Sequence, residues 1–365
     1  MYIGELFTEF ISERDKKSPF DSLFDLFMQM LVYTNGDVSE ALNWLTELDR
    51  QHGLTDDEYA LGDFIKDLEE KGYINSDMQG KVKLTAKSEQ SIRQRSLEEI
   101  FGKLKKSKKG NHSSKFTGFG DEINTDKRKY EFGDSLDKIS MTDSIRNAQV
   151  NHGMGEFKLT EDDLEVEETD FKTQTSTVLM IDISHSMILY GEDRITPAKK
   201  TAMALSELIK RKYPKDTLDI LSFGNDAKQI RVKDLPYLQV GPYHTNTVAG
   251  LELAMDLLRR RKNNNKQIFM ITDGKPTCLK IGNQYYKNSF GLDPKIINKT
   301  LNLAAQCRRL KIGITTFMVA SDPYLQQFVR EFTETNGGKA FYTSLQGLGE
   351  YIFEDYERNR RKRMR

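Results

Sequence analysis

Cysteine is nearly absent from this 365-residue chain, which has only Cys278 and Cys307, set apart without motif spacing. That excludes a disulfide framework and suits a reducing interior. A surplus of charge is missing as well. Lys+Arg and Asp+Glu number 55 each, so there is no general pull towards nucleic acid or anionic lipid, and any such partner needs a local patch. No apolar run approaches bilayer length, and the mean hydropathy is −0.62. The opening residues Met1 to Phe10 are acidic and lack the h-region and cleavage site of a leader. The expectation is a soluble, cytoplasmic protein without a membrane partner. Internal repeats are absent too. Phosphate loops are also missing: no Gly-x-Gly-x-x-Gly follows the main α/β strand, and Gly-Lys-Ser/Thr occurs nowhere. The chain is therefore not expected to bind a nucleotide.

What is present centres on Val178-Leu-Met-Ile-Asp-Ile-Ser-His-Ser-Met187. A β-prone apolar run stops in Asp182, Ser184 and Ser186, as a buried central strand ends in a polar loop. Three small oxygen-bearing side chains at alternate positions make a place to hold a hard cation.

Three regions are expected around this loop. Residues 1–105 read as a helical module: Phe20 to Leu31 at helical spacing, a second helix capped by Asp37, a third ending at Gly72, two short strands over 73–84, and a further helix. Helix, hairpin and helix resemble a winged-helix unit. A DNA-binding reading would set Lys81, Lys83, Lys87, Arg93 and Arg95 on phosphates. No concentrated basic face appears, so protein docking is the preferred reading and nucleic acid is not an expected partner. Residues 106–170 read as a linker or strap, with Phe116, Phe119, Tyr130 and Phe132 arguing against full disorder. Residues 171–365 alternate strand and helix, which predicts an α/β, doubly wound, mostly parallel six-stranded sheet.

Ligands of such sheets sit at the carboxyl ends of the strands, where the strand order reverses. For the order 3-2-1-4-5-6, the pair 217–223 and 228–232 supplies strands two and three. Residues 267–273 are then strand four, so Asp182 and Asp273 end neighbouring strands and share a crevice. Thr245, just before a helix, joins the same edge. Asp182, Ser184, Ser186, Thr245 and Asp273 form an all-oxygen set with few carboxylates, which suits Mg²⁺, with Mn²⁺ as a substitute.

Asp182-x-Ser184-x-Ser186, Thr245-Asn-Thr247 and Ile271-Thr-Asp-Gly274 resemble the metal-ion-dependent adhesion site of von Willebrand factor A (VWA) domains. The resemblance implies a VWA, Rossmann-like fold in which Ser184, Ser186 and Thr245 touch the metal. Asp182 and Asp273 then hold it directly or through water. It also implies an open coordination position that an Asp or Glu carboxylate of a protein partner fills. Pro197 to Leu205, Phe328-Val-Arg-Glu-Phe332, Gly338-Lys-Ala-Phe-Tyr342 and Leu348 to Tyr356 look like prokaryotic intracellular VWA proteins. Those work with AAA+ ATPases of the MoxR and magnesium-chelatase type. The implied role is a non-enzymatic adaptor beside an ATPase that remodels a client or inserts a metal cofactor. The rival is a DNA-associated regulator using the N-terminal module.

An enzyme has to be built from the same residues. A haloacid-dehalogenase-like phosphotransferase needs a second Asp where Ser184 stands, and a later acidic pair where Gly274 follows Asp273. Ser184 and His185 are adjacent and do not form a hydrolase dyad. His185 and His244 read as loop histidines, and Cys278 as an ordinary loop cysteine. The insertion Lys280 to Phe290 lies on the metal face, where Tyr285, Tyr286 and Phe290 either meet a partner or pack the loop down. The basic tail Arg358 to Arg365 reads as a solvated helix end.

Overall fold

The computed structural model describes residues 18–56, 58–76, 82–107, 127–131, 139–153, 158–167, 174–191, 193–319, 323–342 and 348–360. Two compact units are distinguished. One joins the described residues up to 107 with Thr175–Glu354, and the other holds the intervening residues and the end of the last helix.

The chain enters with α1 (Pro19–Tyr33), α2 (Val38–His52) and α3 (Leu61–Glu70). The hairpin β1 (Ile74–Ser76) and β2 (Val82–Leu84) and the long α4 (Ala86–Ser107) follow. Ser18 caps α1, its hydroxyl accepting from the Asp21 amide at 3.1 Å, and Pro19 starts the first turn. Phe24, Phe27, Met28, Met30 and Leu31 are all buried, so this helix is covered on most of its circumference. Asp37 caps α2 as expected, accepting from the Glu40 amide at 3.0 Å.

This helical region packs on the sheet-bearing part of its own unit. Lys199 is fully buried, and its ammonium donates to the Val32 carbonyl and to Asn35 Oδ1, both at 2.7 Å. Burial pushes its pKa down to about 8. Lys200 pairs with Glu99 at 3.0 Å, and the Tyr237 hydroxyl donates to Glu89 at 3.0 Å. Gly36 has φ +80, and a Cβ there would lie 2.4 Å from the Tyr237 ring, so no side chain fits. Two of the basic residues that a DNA reading would set on phosphates make internal contacts instead. Lys87 donates to the Lys71 carbonyl at 2.6 Å, and Arg95 pairs with Asp25. The helix before the hairpin carries Asp63, Asp67, Glu69 and Glu70 against Lys66 alone. Lys81, Phe116, Phe119, Phe132 and Arg361 to Arg365 lie outside the described residues.

Where the sequence suggests a strap, the second unit has regular structure: β3 (Lys127–Lys129), α5 (Met141–His152) and β4 (Glu165–Glu167). β3 and β4 pair antiparallel. Asp163 ties this unit together. Its carboxylate accepts from the Thr160 amide at 2.8 Å, the Thr160 hydroxyl at 2.6 Å, Asn151 at 2.7 Å and His152 at 3.0 Å.

The main sheet begins with β5 (Thr175–Asp182), followed by α6 (Ile195–Lys212), β6 (Thr217–Phe223), β7 (Ala227–Ile230), α7 (Thr247–Arg259) and β8 (Asn265–Thr272). A hairpin of β9 (Cys278–Ile281) and β10 (Gln284–Lys287) intervenes. Then come α8 (Pro294–Arg309), β11 (Ile312–Met318), α9 (Pro323–Asn336), β12 (Lys339–Tyr342) and α10 (Leu348–Arg360). The sheet runs β12-β11-β8-β5-β6-β7, parallel except at β7. In order of appearance that is the doubly wound order expected, with the reversal between β5 and β8. All eight residues of β5 are buried. Val178 and Met180 join the core under α7, α8 and α9, while Leu179 and Ile181 alternate to the other face. Among the described residues, no helix is long and apolar enough to cross a membrane.

Candidate functional site

Strands β5 and β8 are neighbours in register, with Ile181 opposite Ile271, so their ends deliver Asp182 and Asp273 to one place. Asp182 is fully buried and Asp273 nearly so. Asp182 Oδ1 accepts from the Ser184 amide at 2.9 Å, a local turn that bends the chain out of the strand. Asp182 Oδ2 accepts from the Thr272 hydroxyl at 2.7 Å. The hydroxyls of Ser184 and Ser186 are 3.0 Å apart, and Ser186 also hydrogen-bonds the Asp273 carboxylate. Side-chain contacts thus connect four of the five expected residues.

Thr245 enters through its backbone. It is buried and lies just before Asn246, whose side chain caps α7 by accepting from the Ala249 amide at 3.1 Å. The Thr245 amide donates to Thr277 Oγ1 at 2.9 Å. Its carbonyl accepts from the amides of Thr277 at 2.9 Å and Cys278 at 3.1 Å. Two residues earlier, the Tyr243 carbonyl accepts from the His185 amide at 3.1 Å. The 243–247 segment is therefore stitched to the Asp182 loop on one side and to the loop after Asp273 on the other.

The electrostatics are those of a buried carboxyl pair short of positive charge. Burial, then the neighbouring Asp273 charge, raises the Asp182 pKa, against the hydrogen bonds from Ser184 and Thr272. Burial also raises that of Asp273, although the Ser186 bond and the charges of Arg194 and Lys275 oppose it. Arg194 and Lys275 thus leave the carboxyl pair under-neutralised. Among the described residues, no group of three or more His, Cys, Asp or Glu could hold a metal ion. This set offers two carboxylates and three hydroxyls, a hard-oxygen donor chemistry that fits Mg²⁺ rather than a thiolate- or imidazole-seeking ion.

Residues beyond the expected five also build the site. Thr272 was not singled out from the sequence, although Ile271-Thr-Asp-Gly274 places a hydroxyl directly beside the acid. Thr277 carries no sequence signal, since its role as a clamp depends on a backbone contact far along the chain. His185 is exposed; His244 is half-buried, with its pKa lowered by burial and by Lys287. Cys278 is buried, and burial raises its thiol pKa, as for an unreactive cysteine.

A family model described as the vWA domain of Rv0959-like proteins matches residues 175–357, and one for their third domain matches 122–169. The Uncharacterized protein Rv0959 of Mycobacterium tuberculosis (strain ATCC 25618 / H37Rv) is 28% identical over 316 residues, covering 84% of this chain and 46% of its own. Uncharacterized protein Mb0984 of Mycobacterium bovis matches with the same figures. The chain spans about half the length of the curated relatives it matches. Among solved structures, the SpRpn10 VWA domain is similar at 15% identity and TM-score 0.37, over 50% of this chain and 95% of that one. The vWF domain of the type V pili tip protein Mfa5 from Porphyromonas gingivalis is similar at 13% identity and TM-score 0.42, over 53% and 98%. With the vWA-domain model matching half of its length, the chain belongs to the Rv0959-like family of vWA-domain proteins.

Proposed function

We propose that this protein is a non-enzymatic, Mg²⁺-dependent protein-interaction protein of the cytoplasm. In this reading Asp182, Ser184, Ser186, Thr245 and Asp273 hold the ion, with Mn²⁺ able to replace it. The observation that carries the reading is the pair of buried, like-charged carboxyls at the β5 and β8 ends, linked through Ser184 and Ser186. Two such groups facing each other cost folding energy unless a cation or protons neutralise them. Bound there, Mg²⁺ would supply a centre with residual positive charge, because the set brings only two carboxylates, and an Asp or Glu of a partner answers that charge. The chain's own residues do the positioning: Thr272 and the Ser184 amide orient Asp182, and Thr277 fixes Thr245.

The partner implied by the resemblance is an AAA+ ATPase of the MoxR or magnesium-chelatase type, for which this chain would act as adaptor. Energy for remodelling a client or inserting a metal cofactor would come from that ATPase. The test compares tagged protein recovered from its own cells with Mg²⁺ or with chelator. An ATPase should be retained only with Mg²⁺, and lost in Asp182→Ala and Thr245→Ala while circular dichroism stays unchanged. Retention of every partner by those variants rules the site out as the docking point.

A further inference from the structure

The β9–β10 hairpin and its return loop are tied to the candidate metal edge. β9 leaves from Thr277 and Cys278, the residues that bond the Thr245 carbonyl. The loop after β10 comes back so that the Asn288 amide donates to the Thr277 carbonyl at 2.9 Å. Ser289 Oγ lies 3.4 Å from His244 Nδ1, and the Lys275 ammonium donates to the Ser289 carbonyl at 2.5 Å. The residues just beyond Asp273 and those just before Thr245 therefore share this loop as a neighbour.

The exposed surface of this hairpin is of one kind. From Gly274 to Leu292 the chain has Lys275, Lys280 and Lys287, and no Asp or Glu. All four residues of β10 are exposed, Tyr285 and Tyr286 among them, and Phe290 is 91% exposed. The two acids that reach the hairpin from elsewhere are already engaged. Asp226 takes Tyr285 and Lys280, and Asp293 takes Tyr286 at 2.9 Å and Asn288 at 2.8 Å while capping α8. Lys275 makes its contact with a carbonyl, and Lys287 lies 5.7 Å from the centre of the Tyr285 ring. Lys275 also lends its charge to Asp273, whereas Lys287 meets no carboxylate in these contacts. Both tyrosine hydroxyls are hydrogen-bonded, to Asp226 and Asp293, which orients the two rings.

We infer that this hairpin is a second contact surface for the partner, and that it takes an acidic peptide segment carrying an apolar side chain. The inference rests on the metal-site reading for the first carboxylate of that segment. Beyond it, Lys287 meets a further Asp or Glu residue, and the apolar side chain covers Phe290. A desolvated aromatic anchor rimmed by charge is the arrangement that carries affinity at protein interfaces. The lysine supplies orientation and rate.

The test selects displayed random peptides on the full chain in Mg²⁺, then measures the selected peptides by fluorescence anisotropy. Asp/Glu-rich sequences with Leu, Phe or Tyr are expected. Phe290→Ser and Lys287→Glu should each weaken them at least about tenfold. Mn²⁺ binding, followed by electron paramagnetic resonance, should be unchanged in both variants, since neither residue is in the metal set. If the unaltered chain takes up no Mn²⁺, the metal reading fails; the hairpin is then judged on the peptide data alone. The hairpin proposal is overturned by a selection without acidic enrichment, by one that returns no binders, or by variants that bind as tightly as the parent. Tighter binding of single-stranded oligo(dT) than of the peptides overturns it too, since aromatic rings beside lysines can also take nucleic acid.

Discussion

Asp163 and Asp182 belong to different units, and each is almost wholly buried, at 1% and 0% exposure. Asp163 accepts from an amide, a hydroxyl, an Asn and a His, and these bonds hold its pKa far below the usual carboxylate range. Asp182 accepts from the Ser184 amide and hydroxyl and from the Thr272 hydroxyl, yet it faces a second buried acid, and burial with that charge drives its pKa up. Local donors thus complete one buried aspartate and leave the other, with Asp273, in need of positive charge. A carboxylate completed by its own neighbours serves structure; the pair left short of charge is the feature on which the proposed metal site rests.

That contrast should break most visibly on adding Mg²⁺. At about 100 times its dissociation constant, a ligand bound only by the folded state stabilises it by about 2.7 kcal/mol, or roughly 5–10 °C for a domain of this size. Differential scanning fluorimetry should record a rise of that order for the unaltered chain and for Asp163→Asn, and none for Asp182→Ala. The next effect has the opposite sign. Asp273→Asn removes the like charge, so without metal it should unfold later than the parent, by on the order of 1–2 kcal/mol, while losing the Mg²⁺ response. Asp163→Asn, by contrast, should unfold earlier with or without Mg²⁺, because its amide nitrogen confronts donors that wanted an acceptor.

The smallest effect is on pH dependence. Since the Asp182 and Asp273 pKa values are raised, the folded state binds their protons more tightly than the unfolded chain does. Without metal, stability should therefore increase as pH falls from neutrality through their folded range, and the gain from Mg²⁺ should shrink. Asp163 acts the other way. Its contribution is complete above its unfolded pKa, near 3.8, and is lost only as pH falls through its lowered folded value. Unfolding temperatures measured from neutral to strongly acid pH, with Mg²⁺ and with chelator, separate the two.

Most of the scaffold was legible in advance because strand burial writes itself as apolar runs. Val178 to Ile181 and Ile268 to Ile271 read as central strands, and taking the doubly wound order 3-2-1-4-5-6 made them strands one and four, as they are in the sheet. That reasoning brought Asp182 and Asp273 to adjoining strand ends, where the structure has them. The hairpin over 278–287 was not read as strand. Its residues face solvent on β10, so no apolar alternation marks it, although Gly282-Asn283 is a two-residue turn signal and Gly282 has φ +58. The regular structure within 127–131, 139–153 and 158–167 was hidden for a different reason. It is assembled around polar side chains such as Asp143, Ser144 and Asp163, whose partners are far apart in sequence. Thr277 escaped for the same cause: clamping Thr245 is a property of two loops meeting, not of either loop's composition.

Isothermal titration calorimetry of Mg²⁺ into the full chain tests the central claim most directly, run beside the Asp182→Asn/Asp273→Asn double variant. Saturable binding of a single ion by the parent and no heat of binding by the variant are expected, with both chains folded. Failure of the parent to bind, or equal binding by the double variant, contradicts that claim.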